Sequence, residues 1–443
     1  MSLLTKGIGL VKKVKHKFDA DIKARTPVYI SPVRRIERVK TTKKICAMTF
    51  DDGPCRMTAA PTGDGKPLTL SIIETLEKFG AKGTFDIVGD TSGNYPDIAG
   101  KQGSASWGGI KYDHYPDINM DASGGAVNCP ELIGRILSGG HEIASHTFAH
   151  VLWGYKPLVY GKRAYLGDID KVIDDLCKLH DLIKNEYGYE IKLSRPPHYV
   201  NAIGGGLTSY DAYAAMGYQY MAASFDGAGW LPLATYEAEV EAMYRPIERA
   251  LKEDENYFCG QIIFQKDGFN MARRTPVADG LIMQLELLCD AGYEVVTVSE
   301  LLEESPFADI CDTDEIFQSA KKLLDSGLCP AFRDNTVRPE KAVSRGEMAQ
   351  IVFGAAVAKD RIDRLKSGGK AYFADVAADH PYGAAINLAV MAGCFENGKT
   401  MRPDDIISGD EARAFLTAKY GAAENIGAKP TRAEIFEKTA KMC

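Results

Sequence analysis

Two short motifs place carboxylates and imidazoles at spacings that can bind a metal and move a proton. In the first, TFDDGP (49–54), an apolar run ends in the adjacent carboxylates Asp51 and Asp52 before Gly-Pro turns the chain. Neighbouring side chains on an extended backbone point to opposite sides, so one carboxylate can bind a metal while the other acts as a base. Taken alone, the motif predicts either such a site or a plain polar turn.

The second motif, SHTFAH (145–150), carries His146 and His150 four residues apart. This spacing predicts that both imidazoles lie on one face of a helical turn. Two imidazoles suit zinc, with an Asp as the third ligand and the fourth position left for water. The alternative is a pair of ordinary surface histidines, but the chain has only 8 histidines. Together the two motifs favour a metal site.

The elements that must position these motifs alternate between residues 44 and 304. Short apolar runs such as ICAMTF (45–50) and GTFDIVG (83–89) alternate with amphipathic stretches such as LSIIETLEKFG (70–80). This alternation predicts an α/β fold with a largely parallel sheet, and about seven strands over this length favour a barrel. Residues 90–128 show no periodicity, which predicts a long insertion that acts as a lid or binding loop.

Length, charge and cysteine content narrow the class of protein. The chain has 443 residues, a length that predicts two or three globular domains. Its net charge of −7 is mild. Residues 1–43 form a basic arm whose charge alone suits an anionic polymer, an anionic membrane surface or nucleic acid, unless the arm is a solvated lead-in. No apolar stretch is long enough for a transmembrane segment, and no signal peptide is visible. Nucleic acid is not among the partners predicted for the chain as a whole. The 10 cysteines contain no CxxC pair, so we expect mostly free buried thiols.

The sequence after Pro306 contains an internal repeat. FADI (307–310) and YFADV (372–376) open two similar units, and VSRGE (343–347) and ISGDE (407–411) close them. A third copy of the closing element, PTRAE, begins at residue 430. Repetition at this period predicts a small, mostly helical repeat module over residues 305–443.

Three motifs in order carry a family resemblance. TFDDGP, GHEIASHTFAH (140–150) and SRPP (194–197) resemble the polysaccharide deacetylase family, also called the NodB-homology family or carbohydrate esterase family 4, over residues 40–304. The resemblance implies a distorted (β/α) barrel that removes acetyl groups from a polysaccharide, most simply by hydrolysing the C–N bond of an N-acetyl amino sugar.

The resemblance also implies roles for individual residues. Asp51 would be the general base, and Asp52, His146 and His150 would hold a divalent metal, with zinc first and cobalt or nickel as alternatives. Arg195 would pair with Asp51 and keep it ionised, because a nearby cation lowers the pKa of a carboxyl group.

The general acid departs from the family pattern. Lys266, in IIFQKDG (262–268), stands where the family has a His. Gly229, in FDGAGW (225–230), stands where the family has an Asp before the Trp of its fourth motif. His198 stands where the family has a Tyr in its third motif. Three alternatives stay open. His198 or Lys266 supplies the proton, the substrate is an O-acetyl ester whose alkoxide takes a proton from water, or the domain is a catalytically weak glycan-binding surface protein.

The C-terminal units resemble S-layer homology repeats over residues 306–443. In that family a TRAE-type motif binds an anionic cell-wall polysaccharide, with the Arg pairing to carboxylate. The resemblance implies this role for Arg345 and Arg432, whereas Gly409 takes the corresponding place in the second copy. It also implies an extracellular or cell-wall-associated protein.

Overall fold

The computed structural model describes residues 28–59, 61, 65–90, 124–154, 165–270, 272, 274–367, 373–396 and 398–443. These residues form a curled parallel sheet covered by helices, followed by a helical module, which confirms the predicted fold class. Most of the predicted basic arm (1–43) and of the predicted insertion (90–128) lies outside the described residues.

Nine strands, all parallel, form one sheet within the described part of the chain. They are β1 (Arg35–Ile36), β2 (Ile45–Asp51), β3 (Thr84–Ile87), β4 (Glu142–Ser145), β5 (Leu193–Ser194), β6 (Gln219–Met221), β7 (Phe225–Asp226), β8 (Ile262–Lys266) and β9 (Glu294–Val296).

The sheet curls around β2 in the order β1-β6-β5-β4-β3-β2-β8-β7, and its two ends, β1 and β7, are not paired with each other. On one edge of β2, β8 pairs along Ala47–Asp51. On the other edge, β9 pairs with Ile45–Ala47 and β3 pairs with Thr49–Asp51. The barrel is open because β1 and β7 do not pair, and it is distorted because β3 and β9 share one edge of β2.

The helices that follow the strands cover the outside of the sheet. In the barrel they are α1 (Leu68–Lys78), α2 (Pro130–Ser138), α3 (Ile169–Tyr187), α4 (Ser209–Met216), α5 (Tyr236–Glu253), α6 (Val277–Asp290) and α7 (Val298–Glu304). In the module they are α8 (Phe317–Asp325), α9 (Arg345–Phe353), α10 (Asp360–Ser367), α11 (Gly383–Met391), α12 (Gly409–Tyr420) and α13 (Arg432–Ala440). No helix in the described ranges is both long and apolar enough to cross a membrane.

Matching hydrogen bonds confirm the internal repeat in the module. The Asp309 carboxylate accepts bonds from the backbone N–H groups of Val337 and Arg338, both at 2.7 Å. Asp375 accepts the same pair of bonds from Met401 and Arg402, at 2.8 and 2.7 Å. The closing elements also agree, since Ser344, Ser408 and Thr431 each cap a helix by accepting from the N–H of a Glu three residues on.

The segment at 28–34 ties the module to the barrel. Ile30 is 2% exposed, belongs to the apolar core of the module and forms an antiparallel bridge with Phe332. The chain then enters β1 of the sheet. At the crossing point, Arg34 donates to the Pro306 carbonyl at 2.6 Å and to Asn335 Oδ1 at 2.9 Å. The two bodies are therefore joined by this segment as well as by the chain at 305.

All ten cysteines are free thiols, and all except Cys443 are at least partly buried. This arrangement confirms the prediction that they do not form a disulfide framework.

Candidate metal centre and active site

The inner face of β2 changes from apolar to charged as the strand approaches its carboxyl end. Ala47 packs in a small apolar cluster inside the sheet, and alternation puts Thr49 and Asp51 on the same face. The parallel register places Asp51 opposite Asp86 on β3 and opposite Lys266 on β8. Three charged residues from three neighbouring strands therefore form one row at the mouth of the barrel, where barrel enzymes place their chemistry.

The structure brings the three predicted metal ligands together just above this row. Asp52 Oδ1 lies 3.3 Å from His146 Nε2 and 3.1 Å from His150 Nε2. All three residues are buried, and their ligand atoms lie within 4.8 Å of one another. Two imidazole nitrogens and one carboxylate oxygen fit a divalent metal such as zinc and leave a position for water.

The predicted helical turn at 146–150 is wrong. β4 ends at Ser145, and the two histidines lie in an irregular loop, with their ring centroids 4.9 Å apart. The His150 N–H donates to Thr147 Oγ1 at 3.0 Å. Asp175 of α3 accepts from the N–H groups of Phe148 and Ala149 at 2.9 and 3.2 Å. A carboxylate from a distant helix, rather than helical hydrogen bonds, therefore closes this loop.

Backbone strain is concentrated around the site. Nine non-glycine residues in the described ranges have a positive φ, a conformation that costs on the order of 1–3 kcal/mol and persists where the surrounding structure holds it. Five of the nine are at the site: Asp52 (79°), Thr147 (75°), His150 (50°), His198 (54°) and Tyr199 (57°). Such clustering is typical of a functional site rather than of a structural turn.

The predicted pairing of Arg195 with Asp51 is present. The fully buried guanidinium of Arg195 forms an ion pair with Asp51, and it also donates to Thr49 Oγ1 at 3.0 Å and to the Ala222 carbonyl at 3.1 Å. Because these partners come from β2 and from the end of β6, the guanidinium holds the Asp51 carboxylate in one orientation.

The predicted lowering of the pKa of Asp51 is not the net result. Burial raises the pKa of Asp51 to about 7, and Arg195 and His146 offset only part of that effect. Desolvation outweighs one cation here because the carboxyl group is 4% exposed and because Asp86 and Asp52 add negative charge nearby.

Asp86 is a site residue that the motifs did not reveal. One of its carboxylate oxygens and the Arg195 carbonyl oxygen each lie 2.9 Å from His146 Nδ1. Burial lowers the pKa of His146, but the nearby Asp86 and Asp51 carboxylates outweigh it and raise that pKa above its usual range. A carboxylate behind a ligating imidazole fixes which ring nitrogen faces the metal. The available signal was a single carboxylate inside the apolar run GTFDIVG.

His198 lies beside the predicted metal ligands. Its ring centroid is 6.0 Å from that of His150. The two imidazoles differ in exposure, since His150 is buried and His198 is open to solvent. Burial lowers the pKa of His150 to about 4, which favours the neutral imidazole that a metal ligand requires.

Lys266 reaches the site from β8, as the comparison with the family pattern predicted. It is 2% exposed and forms an ion pair with Asp52 Oδ2. The next residue, Asp267, is fully buried and accepts from Thr69 Oγ1 at 2.6 Å. A Cβ at Gly229 would lie 3.4 Å from the Gln265 side chain, so that position faces the residue before Lys266.

The two predicted wall-binding arginines lie in the module, away from this site. Arg345 donates to the Met401 carbonyl at 2.7 Å and pairs with Glu411. Arg432 is fully buried and donates to the Val337 carbonyl at 2.5 Å. Both guanidinium groups have partners within the protein, and binding of a wall polysaccharide through them stays a prediction.

Solved structures similar to this chain include members of carbohydrate esterase family 4. A pseudoenzyme of that family from Bacillus anthracis is 15% identical, over 61% of this chain and 69% of that chain, with a TM-score of 0.40. A peptidoglycan deacetylase from Bacillus subtilis is 20% identical, over 60% and 93%, at 0.37. A family 4 acetyl xylan esterase from Clostridium thermocellum, solved with cobalt, is 20% identical, over 59% and 91%, at 0.37.

No curated protein matches the sequence. The model of the polysaccharide deacetylase family matches residues 38–221. This segment runs from before β2 to the end of β6. It contains Asp51, the three predicted metal ligands, Asp86, Arg195 and His198, whereas Lys266 on β8 lies outside it. Over residues 38–221 the chain is therefore similar to the polysaccharide deacetylase family.

Proposed function

We propose that the protein is a metal-dependent hydrolase that removes acetyl groups from a polysaccharide, with an N-acetylated amino sugar as the favoured substrate. The observation that carries this proposal is the meeting of Asp52, His146 and His150 beside Asp51. It is supported by the match of the same segment to the deacetylase family.

A bound divalent metal would polarise the acetyl carbonyl and lower the pKa of a water molecule at the site. The chain's own part is to receive the proton of that water. Asp51 Oδ2 lies 3.9 Å from His146 Nε2, so the carboxylate borders the predicted metal position, and Arg195 holds it there. Burial raises the pKa of Asp51, which favours uptake of a proton by this carboxylate.

Hydrolysis of an amide also requires an acid that protonates the leaving nitrogen. The ammonium of Lys266, one of the two candidate acids, is already bound by Asp52. This observation favours a second candidate, an O-acetyl esterase, because an alkoxide is a better leaving group than an amide nitrogen and can take its proton from water.

Acetate release from acetylated chito-oligosaccharides and from acetylated xylan tests the proposal and separates the two bond types. The protein is stripped of metal and assayed with and without added Zn²⁺ or Co²⁺. We expect release that requires metal and that falls by about 10²–10⁴-fold in Asp51→Asn, the usual contribution of a general base.

The exposed Asp290 at the end of α6 offers a matched control, since Asp290→Asn makes the same chemical change far from the barrel mouth. Equal activity with and without metal, or full activity in Asp51→Asn, would contradict the proposal. Release from xylan alone would select the esterase. No release from either substrate, despite metal binding, would leave a glycan-binding protein with little or no turnover.

A further inference from the structure

The two oxygens of the Asp52 carboxylate face different partners. Oδ1 lies between the imidazoles of His146 and His150, at 3.3 and 3.1 Å. Oδ2 forms an ion pair with the Lys266 ammonium. The predicted metal position and a cationic side chain of the protein itself therefore share one carboxylate.

Lys266 is confined to this place. Its side chain is 3% exposed, and the register of β8 on β2 fixes its backbone opposite Asp51. The next residue, Asp267, is held by Thr69 of α1. Because a buried ammonium needs an anionic partner and Asp52 is the carboxylate it pairs with, the lysine does not leave the site without losing that partner.

We propose that Lys266 is a built-in positive charge that limits how tightly the site binds a divalent metal. The proposal rests on the metal site assigned above and adds the residue that sets its affinity. A divalent cation held by Oδ1 and the two imidazoles would be separated from Lys266 only by the Asp52 carboxylate. Two cations repel each other strongly where water is excluded. Lys266 also neutralises part of the charge of the ligand that the metal needs.

Removal of Lys266 would also have an opposite effect on metal affinity. A partner behind a metal ligand also orients it, and losing such a partner typically costs 10–100-fold in affinity. Asp52 is less dependent on this support, because its backbone N–H donates to the Asp86 carbonyl at 3.2 Å and its φ of 79° is fixed by the turn at the end of β2. Removal of the like charge is therefore expected to dominate.

Calorimetric titration with Zn²⁺ and with Co²⁺ alone, on the metal-stripped full chain, tests the inference without an activity assay. We expect Lys266→Met, which keeps the length of the side chain and removes its charge, to bind either metal at least tenfold more tightly than the unaltered protein. Lys266→Arg keeps the charge and is expected to stay within about threefold. Lys184→Met, at an exposed ion pair with Glu190, controls for loss of a lysine elsewhere.

The outcomes separate this inference from the proposed function. Equal or weaker metal binding by Lys266→Met, with unchanged circular dichroism, overturns the inference and leaves the metal site intact. No metal binding by any of the proteins overturns both. If Lys266→Met does not fold, Lys266→Gln supplies the same neutral comparison, and the same tenfold gain is required of it.

Discussion

Among the described residues, the barrel and the module each have one arginine that is completely buried, and these two arginines have different partners. Arg195 lies at the mouth of the barrel and pairs with the carboxylate of Asp51. Arg432 begins the last helix of the module and donates to the carbonyls of Val337 and Pro330. The ring centroids of Phe332 and Phe436 lie 4.4 and 5.0 Å from its guanidinium carbon.

The pKa values of the two guanidinium groups move in opposite directions. Burial lowers the pKa of Arg432 to about 10, because its direct partners are neutral carbonyls and rings. Burial also acts on Arg195, but Asp51, Tyr199 and Asp86 together outweigh it and raise the pKa of Arg195. Arg195 therefore orients a carboxylate that can accept a proton. Arg432 instead connects distant backbone segments of the module through their carbonyl groups.

The largest effect is expected at the barrel mouth. Arg195→Met removes the cation that orients Asp51, so we expect kcat for acetate release to fall by about 10²–10³-fold while KM changes little. Steady-state kinetics on the chito-oligosaccharide or xylan substrate measure this split. A rise in KM with unchanged kcat would instead make Arg195 a substrate-binding residue and weaken the contrast with Arg432.

The second effect is expected in the module and concerns stability. Arg432→Met leaves two buried carbonyls without their donor, which costs about 2–4 kcal/mol in the free energy of unfolding. Urea unfolding of the full chain, followed by circular dichroism, measures the loss. Acetate release from soluble oligosaccharides should stay unchanged. Lost activity with unchanged stability would show that the module acts on the site rather than holding itself together.

A smaller effect is expected in the barrel as the pH falls, and it concerns His141. Burial lowers the pKa of His141 to about 4, although Glu77 nearby opposes the shift. Between pH 6.5 and about 4, His141 is protonated in the unfolded chain but stays neutral in the folded chain. Stability is therefore present above pH 6.5 and is lost as the pH falls towards 4, by on the order of 2 kcal/mol. Arg432 does not titrate in this range.

The variant His141→Gln keeps an acceptor for the Gly83 N–H, which bonds to His141 Nδ1 at 3.1 Å, and removes the titrating ring. Unfolding free energies of both proteins, measured between pH 4 and 7.5, should converge at low pH if His141 carries this acid sensitivity. Parallel curves would assign the sensitivity to other buried groups.

The two motifs that predicted the site share a simple physical origin. In a parallel sheet the residue after each strand arrives at the same edge, so Asp51, Asp52 and His146 could be grouped from strand ends, whereas Arg195 was added by the family resemblance. The α/β alternation and the internal repeat were visible for a similar reason, because both depend on local periodicity.

Contacts between distant segments were not visible in the same way. The loop at 146–150 was predicted as a helical turn because a spacing of four is compatible with one, yet Asp175 on α3 decides its shape. Asp86 faces His146 only because β3 pairs in a particular register with β4. Lys266 and Asp52 are 214 positions apart, and no local pattern predicts their ion pair.

The segment at 28–34 has a consequence for the order of folding during synthesis. Ile30 donates its N–H to the hydroxyl of Tyr382, 352 positions away, and forms a bridge with Phe332. Contacts of such separation slow folding, so Ile30 stays uncovered on the ribosome until these parts of the module have emerged. A nascent chain stalled before residue 330 would expose this apolar segment to a wrong partner.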